Sequence, residues 1–137
     1  MPNHNFDGNT VFEKGTNRPE FEAFFSGKSY RSDLSTHQID ISNITFSPSS
    51  RTKWHYHHSG EILLITGGSG WHQEEGQPAK HIKEGDVINI EAGTKHWHGA
   101  TKNTWLSHVA ITVPAENTTT DVCEEVSDDL YNQLPVF

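Results

Sequence analysis

The sequence predicts an all-β domain, an antiparallel sandwich or barrel, with a short helix near its C-terminal end. Three observations carry that reading. Short runs of branched and aromatic residues recur through the chain, strong turn signals separate them, and no helix-length pattern occurs before residue 127. The turns fall at Ser47-Pro48-Ser49-Ser50, Gly67-Gly68, Gly76-Gln77-Pro78, Glu84-Gly85-Asp86 and Ala92-Gly93-Thr94, where Gly and Pro supply the backbone angles that end a strand.

Residues 1–20 are polar, rich in Asn and Gly, and without periodicity. They read as an arm, either loose or draped over a neighbouring subunit, leaving residues 21–137 as the domain. Strands are expected over 22–25, 29–34, 39–46, 53–57, 61–66, 70–74, 79–82, 86–90, 96–99 and 105–112. Residues 114–120 read as a linker. Ser127 then offers an N-cap, Asp128 and Asp129 place acids in the first turn, and Leu130, Tyr131 and Leu134 form one apolar face.

A chain of 137 residues suits one core. Its formal net charge of −8, with Lys and Arg scattered singly, argues against a nucleic-acid partner. No window approaches the roughly 18 apolar residues of a membrane span, and no signal-like N-terminus is visible, so a cytoplasmic location is expected. Asp121, Glu124, Glu125, Asp128 and Asp129 read as a solvated surface, and the lone Cys123 as an incidental thiol.

The anomaly in composition is ten histidines, clustered around 55–58 and 96–98. In a strand, residues two apart share a face, so His55 and His57 can reach one ion. Glu61 follows a short turn, and His96 opens a strand some forty residues on. Three imidazoles and one carboxylate suit Mn, Fe, Co, Ni, Cu or Zn better than Ca or Mg, which prefer all-oxygen sites. The same parity turns His98 inward with His96. His108 on a later strand, if it points inward, takes Leu106, Ala110 and Thr112 with it. Imidazoles beside a metal suit proton transfer, which makes His98 and His108 the candidate catalytic residues. His58, His72 and His81 are assigned to the surface by default. Trp54, Tyr56, Trp97 and Trp105 alternate with the inward set, so they should face outward, against inter-sheet packing or a second copy of the chain.

The ligand pattern resembles the cupin superfamily. Its first motif, G(x)5HxH(x)3-4E(x)6G, is matched by Ser49, His55, His57, Glu61 and Gly68; its second, G(x)5PxG(x)2H(x)3N, by Gly85, Glu91, Gly93, His96 and Ala100. All four ligand positions agree. Ser49, Glu91 and Ala100 depart at turn and framework positions. The resemblance implies a double-stranded β-helix, or jelly-roll barrel, commonly a homodimer, with one divalent metal inside and a small-molecule substrate.

Lys53-Trp54-His55, Gly70-Trp71, the run from Gly93 to Ala100 and the tail from Val126 to Tyr131 look like one group of small bacterial single-domain cupins. Some are labelled carboxymuconolactone decarboxylase-like and others are manganese-dependent hydroxynitrile lyases. That likeness implies metal ligands at His55, His57, Glu61 and His96, further active-site histidines at His98 and His108, and manganese ahead of Fe, Ni, Co or Zn. Those lyases carry Gln where this chain has Glu61, and a carboxylate cancels part of the ion's charge. The function implied is a metal-dependent enzyme acting on a small organic substrate, by lyase or other Lewis-acid chemistry. A metal-dependent binding or sensing module and a dioxygenase are the alternatives.

Overall fold

The computed structural model describes residues 7–135. It has eleven strands: β1 (Phe25–Ser26), β2 (Ser29–Ser35), β3 (Ile41–Phe46), β4 (Arg51–Thr52), β5 (His55–His57), β6 (Glu61–Glu74), β7 (Lys80–Lys83), β8 (Val87–Ile90), β9 (His96–Ala100), β10 (Leu106–Thr112) and β11 (Thr120–Val122). One short helix, α1 (Asp128–Asn132), follows them.

Strand β6 organises the fold. Its first half pairs with β10 and β8, and its second half with β9 and β7, all antiparallel. One sheet therefore runs β2-β3-β10-β6-β8. The other runs β7-β6-β9, continues through β4 to β1, and reaches β11 through β5. The two sheets face each other as a mostly closed jelly-roll barrel. Phe46, Leu63, Ile65, Ile82, Ile90, Ala100, Leu106 and Ala110 fill the space between them.

The turn expected at Gly67-Gly68 is a bend inside β6. Gly68 takes a left-handed backbone (φ 72°), and the register against β10 shifts between Ser107 and His108. A glycine and a bulge let one strand turn the corner between sheets without ending. The strand expected at 22–25 is mostly a 3-10 turn, Pro19–Phe24. Pro19 pre-sets its first residue, and only Phe25–Ser26 remains extended. The expected linker at 114–120 runs into β11, which pairs with β5 and lies over the histidine strand.

The arm expected over 1–20 divides. Residues 1–6 lie outside the described residues, and residues 7–18 pack on this chain's own β2–β3 edge. There Thr16 bridges Arg31, the Glu13 carbonyl accepts from Asn43, and Lys14 sits over the rings of Tyr30 and Trp105. Of the aromatics expected to face outward, Trp54 and Trp97 do so, joined by Trp71, and Val126, Leu130, Tyr131 and Leu134 cover them. Ser127 caps α1 as expected, accepting from the Leu130 amide at 3.1 Å. Arg51 clamps the helix from below, with Asp128 at 2.7 Å and the Tyr131 ring 4.2 Å from its guanidinium. No helix among the described residues is long and apolar enough to cross a membrane.

Candidate metal centre and its cavity

His55 on β5 lies directly opposite His96 on β9, so their rings share the inner face with centroids 4.2 Å apart. His57 follows two residues on. Glu61 reaches the same place from the start of β6, where it opposes Thr112 of the other sheet. The barrel thus joins four residues that the sequence separates by up to forty-one positions.

The three imidazoles are oriented before any ion binds. Nδ1 of His55 donates to the Lys53 carbonyl at 2.8 Å, and Nδ1 of His96 donates to the Thr94 carbonyl at 2.8 Å. A carbonyl can only accept, so in both rings the proton sits on Nδ1 and the Nε2 lone pair is free. Nδ1 of His57 is bonded to Thr120 Oγ1 at 2.7 Å, which again leaves Nε2 for the site.

What remains matches a ligand set. Nε2 of His57, Nε2 of His96 and Oε1 of Glu61 are buried with no hydrogen-bond partner. Nε2 of His57 and Oε1 of Glu61 approach to 3.2 Å without the direction of a hydrogen bond, as two ligands of one ion do. Ligand atoms of His57, Glu61 and His96 all lie within 4.8 Å of one another, as do those of His55, His96 and His98. Three orphaned polar atoms on one point are costly unless something satisfies them all, and a single cation does. Nitrogen-rich donors with one carboxylate fit a divalent transition metal.

Electrostatics agree. Burial drives His55 down to about 4 and His96 down to about 3, so both are neutral at physiological pH, as ligands must be. Burial works to raise Glu61, but the adjoining His57 and the fields of His108 and His96 outweigh it and hold the carboxyl below its usual range. His98 and His108 are buried beside the cluster, with ring centroids 5.0 Å apart. Burial first, then neighbouring imidazoles, holds His98 well below the ordinary histidine value. Burial brings His108 to about 4.

The cluster opens on a cavity of about 240 Å³. His55, His57, Glu61, His98 and His108 line its polar side, and Phe21, Phe24, Phe25, Ile44 and Phe46 its apolar side. Sequence reasoning missed three contributors. The phenylalanines before residue 26 open the domain, with Phe24 and Phe25 in what read as a first strand and Phe21 just before it. Arg31 carries no motif, and Thr120 lay in the expected linker. One surface assignment is also corrected. His72 is buried, because it opposes His98 across β6–β9 and shares the inward face.

A jelly-roll barrel whose inner face gathers histidines and a glutamate into two overlapping clusters of metal-ligand type has the architecture of a cupin. The chain belongs to that family: the Cupin domain family matches residues 42–112. It is 41% identical over 91 residues to an (R)-mandelonitrile lyase of Granulicella tundricola, spanning 66% of this chain and 70% of that protein. A cupin-like protein of Thermotoga maritima superposes with a TM-score of 0.85 at 32% identity, covering 91% of this chain and 96% of the other. A predicted oxalate decarboxylase of the same organism, at 22% identity and a TM-score of 0.66, covers 80% of this chain and 100% of its own, and shares the fold.

Proposed function

We propose that the chain is a metal-dependent lyase for a small organic molecule. His55, His57, Glu61 and His96 hold one divalent ion, manganese first, and His98 and His108 move protons beside it. The observation that carries this reading is the convergence of pre-oriented imidazole nitrogens and an ionised carboxylate at the polar side of an aromatic-walled cavity. Bound there, the ion would act as a Lewis acid on a substrate oxygen or nitrogen.

The chain's own residues supply the rest. Neither ring nitrogen of His108 has a hydrogen-bond partner among the described residues, and burial keeps the ring neutral, so it can accept a proton from a substrate hydroxyl. As the O–H pair becomes a carbonyl, the bond to the adjacent carbon breaks and the departing group leaves with its electrons. His108 then gives that proton to the departing group, directly or by way of His98, whose ring centroid is 5.0 Å away, so one alcohol yields one carbonyl compound and one protonated leaving group and His108 is neutral again. The phenylalanine wall keeps water from the exposed intermediate charge. The relative named (R)-mandelonitrile lyase supports cleavage of this kind.

The test is manganese loading with elemental analysis, followed by aldehyde release from aryl 2-hydroxynitriles and related 2-hydroxy compounds. The wild-type chain should hold about one ion and release aldehyde above the protein-free rate, and H96A should lose both. A metal-loaded chain that cleaves none of these compounds would instead be a binding module.

A further inference from the structure

The cavity has a second charged feature, away from the histidine cluster. Arg31 on β2 lies opposite Ile44 on β3, which lies opposite His108 on β10. Directly opposed residues in antiparallel strands share a face, so Arg31 stands in the same inward row as His108, and both line the cavity. With strands about 4.8 Å apart, their Cα atoms are about 10 Å apart. The positive charge is felt at His108, where it adds to the effect of burial in disfavouring the protonated ring.

The guanidinium is held in a fixed plane. Nε donates to Asp33 at 3.2 Å, Nη2 donates to Ser42 Oγ at 2.9 Å, and the Phe21 ring centroid lies 4.4 Å away. Asp33 does not neutralise it alone, because Arg18 takes the other carboxylate oxygen at 2.9 Å. One carboxylate thus serves two guanidiniums. Asp40 also lines the cavity but is exposed, where water and salt screen its charge. A planar cation of fixed orientation, beside aromatic walls, is the chemistry that receives a planar anion.

We propose that Arg31 anchors a carboxylate of the substrate, so that among small aromatic or otherwise apolar molecules this cavity prefers those carrying a carboxylic acid to their neutral counterparts. Only the claim that the bound acid is a substrate rests on the lyase reading; the anion contact itself needs no metal. Glu61 fits the same arrangement. A carboxylate among the metal-binding residues cancels half of a divalent ion's charge, so that end attracts an anion less than a neutral ligand set would, and Arg31 adds a second positive group to the cavity.

Calorimetric titration of the full chain with benzoate and with benzamide, in manganese-loaded and metal-stripped forms, tests this. Benzoate should bind at least tenfold more tightly than benzamide in both forms. R31Q should lose at least tenfold for benzoate and less than twofold for benzamide. R31K keeps the charge but not the planar fork, and should lose at least threefold for benzoate alone, which decides the matter if R31Q does not fold. Equal binding of the two probes, or benzoate affinity untouched by either variant, overturns the inference. Benzoate binding that needs the metal and ignores Arg31 puts the carboxylate on the ion, which overturns the Arg31 assignment and upholds the metal reading. Arg31-dependent binding in a chain that retains no metal does the reverse.

Discussion

Thr120 bonds Nδ1 of His57 with its hydroxyl at 2.7 Å, from the strand that pairs with β5. Partners of this kind fix ring orientation, and their loss typically costs about 10–100-fold in metal affinity. T120V should therefore weaken manganese binding within that range while leaving the fold intact, as read by competition with a chelator and by thermal melting. Retained affinity would show that β5 alone orients His57. Glu61 makes the opposite kind of prediction. It places a negative charge among the ligands, where a neutral amide would leave the ion more electrophilic. E61Q should keep the metal, though less tightly, and raise the rate of 2-hydroxynitrile cleavage by about tenfold, equivalent to about 1.4 kcal/mol of barrier. A fall in rate with metal still bound would mean that the carboxylate takes part in the proton transfers. At this scale the inward cluster was legible, since strand parity places His55 and His57 on one face and the structure brings Glu61 and His96 beside them. Arg31 and the cavity phenylalanines were not, because their role comes from which strand lies opposite which.

Among the elements, β6 shows how a single strand shapes both sheets. Gly70 sits where β6 meets β9, opposite Ala100. A Cβ there would lie 2.1 Å from the Gly99 carbonyl oxygen and 2.8 Å from a Leu106 methyl. Backbone cannot give way as a flexible side chain can, so the strands would have to part. G70A should cost about 3 kcal/mol or more by overpacking, visible as a lower urea midpoint, and should also weaken metal binding because β9 carries His96. Wild-type stability in G70A would mean that the two strands are not so closely apposed. The same strand marks where the sequence stopped being readable. Gly67-Gly68 has the composition of a turn, and nothing local distinguishes a turn from a corner that passes the chain between sheets. His72 was misplaced for the same reason, since its burial follows from pairing with His98, 26 positions away in the chain. By contrast, the cap at Ser127 and the short helix after it depend on adjacent residues, and both appear where the sequence put them.

For the whole molecule, the consequence is that folding and site assembly are one event. His55, His57, His96 and His98 come from one sheet, Glu61 and His108 from strands of the other, and only the closed barrel buries them together. Burial there has a price in acid. Histidine in an unfolded chain titrates near about 6.5, whereas in the fold His55 and His108 stand at about 4 and His96 at about 3. These are depressed values, so the stability linked to them is fully present above pH 6.5. It drains away as pH falls, because the unfolded chain takes up protons that the fold refuses, and is exhausted only when pH drops through the folded values. At pH 5 these three rings alone should take up about three protons on unfolding, with His98 adding to them, and each steepens the pH dependence by about 1.4 kcal/mol per unit. Urea denaturation of the metal-stripped chain should accordingly show a midpoint that is flat above pH 7 and falls steeply between pH 6.5 and 4. Loading with manganese at a hundred times its dissociation constant should raise the plateau by about 2.7 kcal/mol. A midpoint insensitive to pH between 7 and 5 would mean that the histidines remain open to solvent protons, and the closed, dry cluster on which the metal site depends would have to be abandoned.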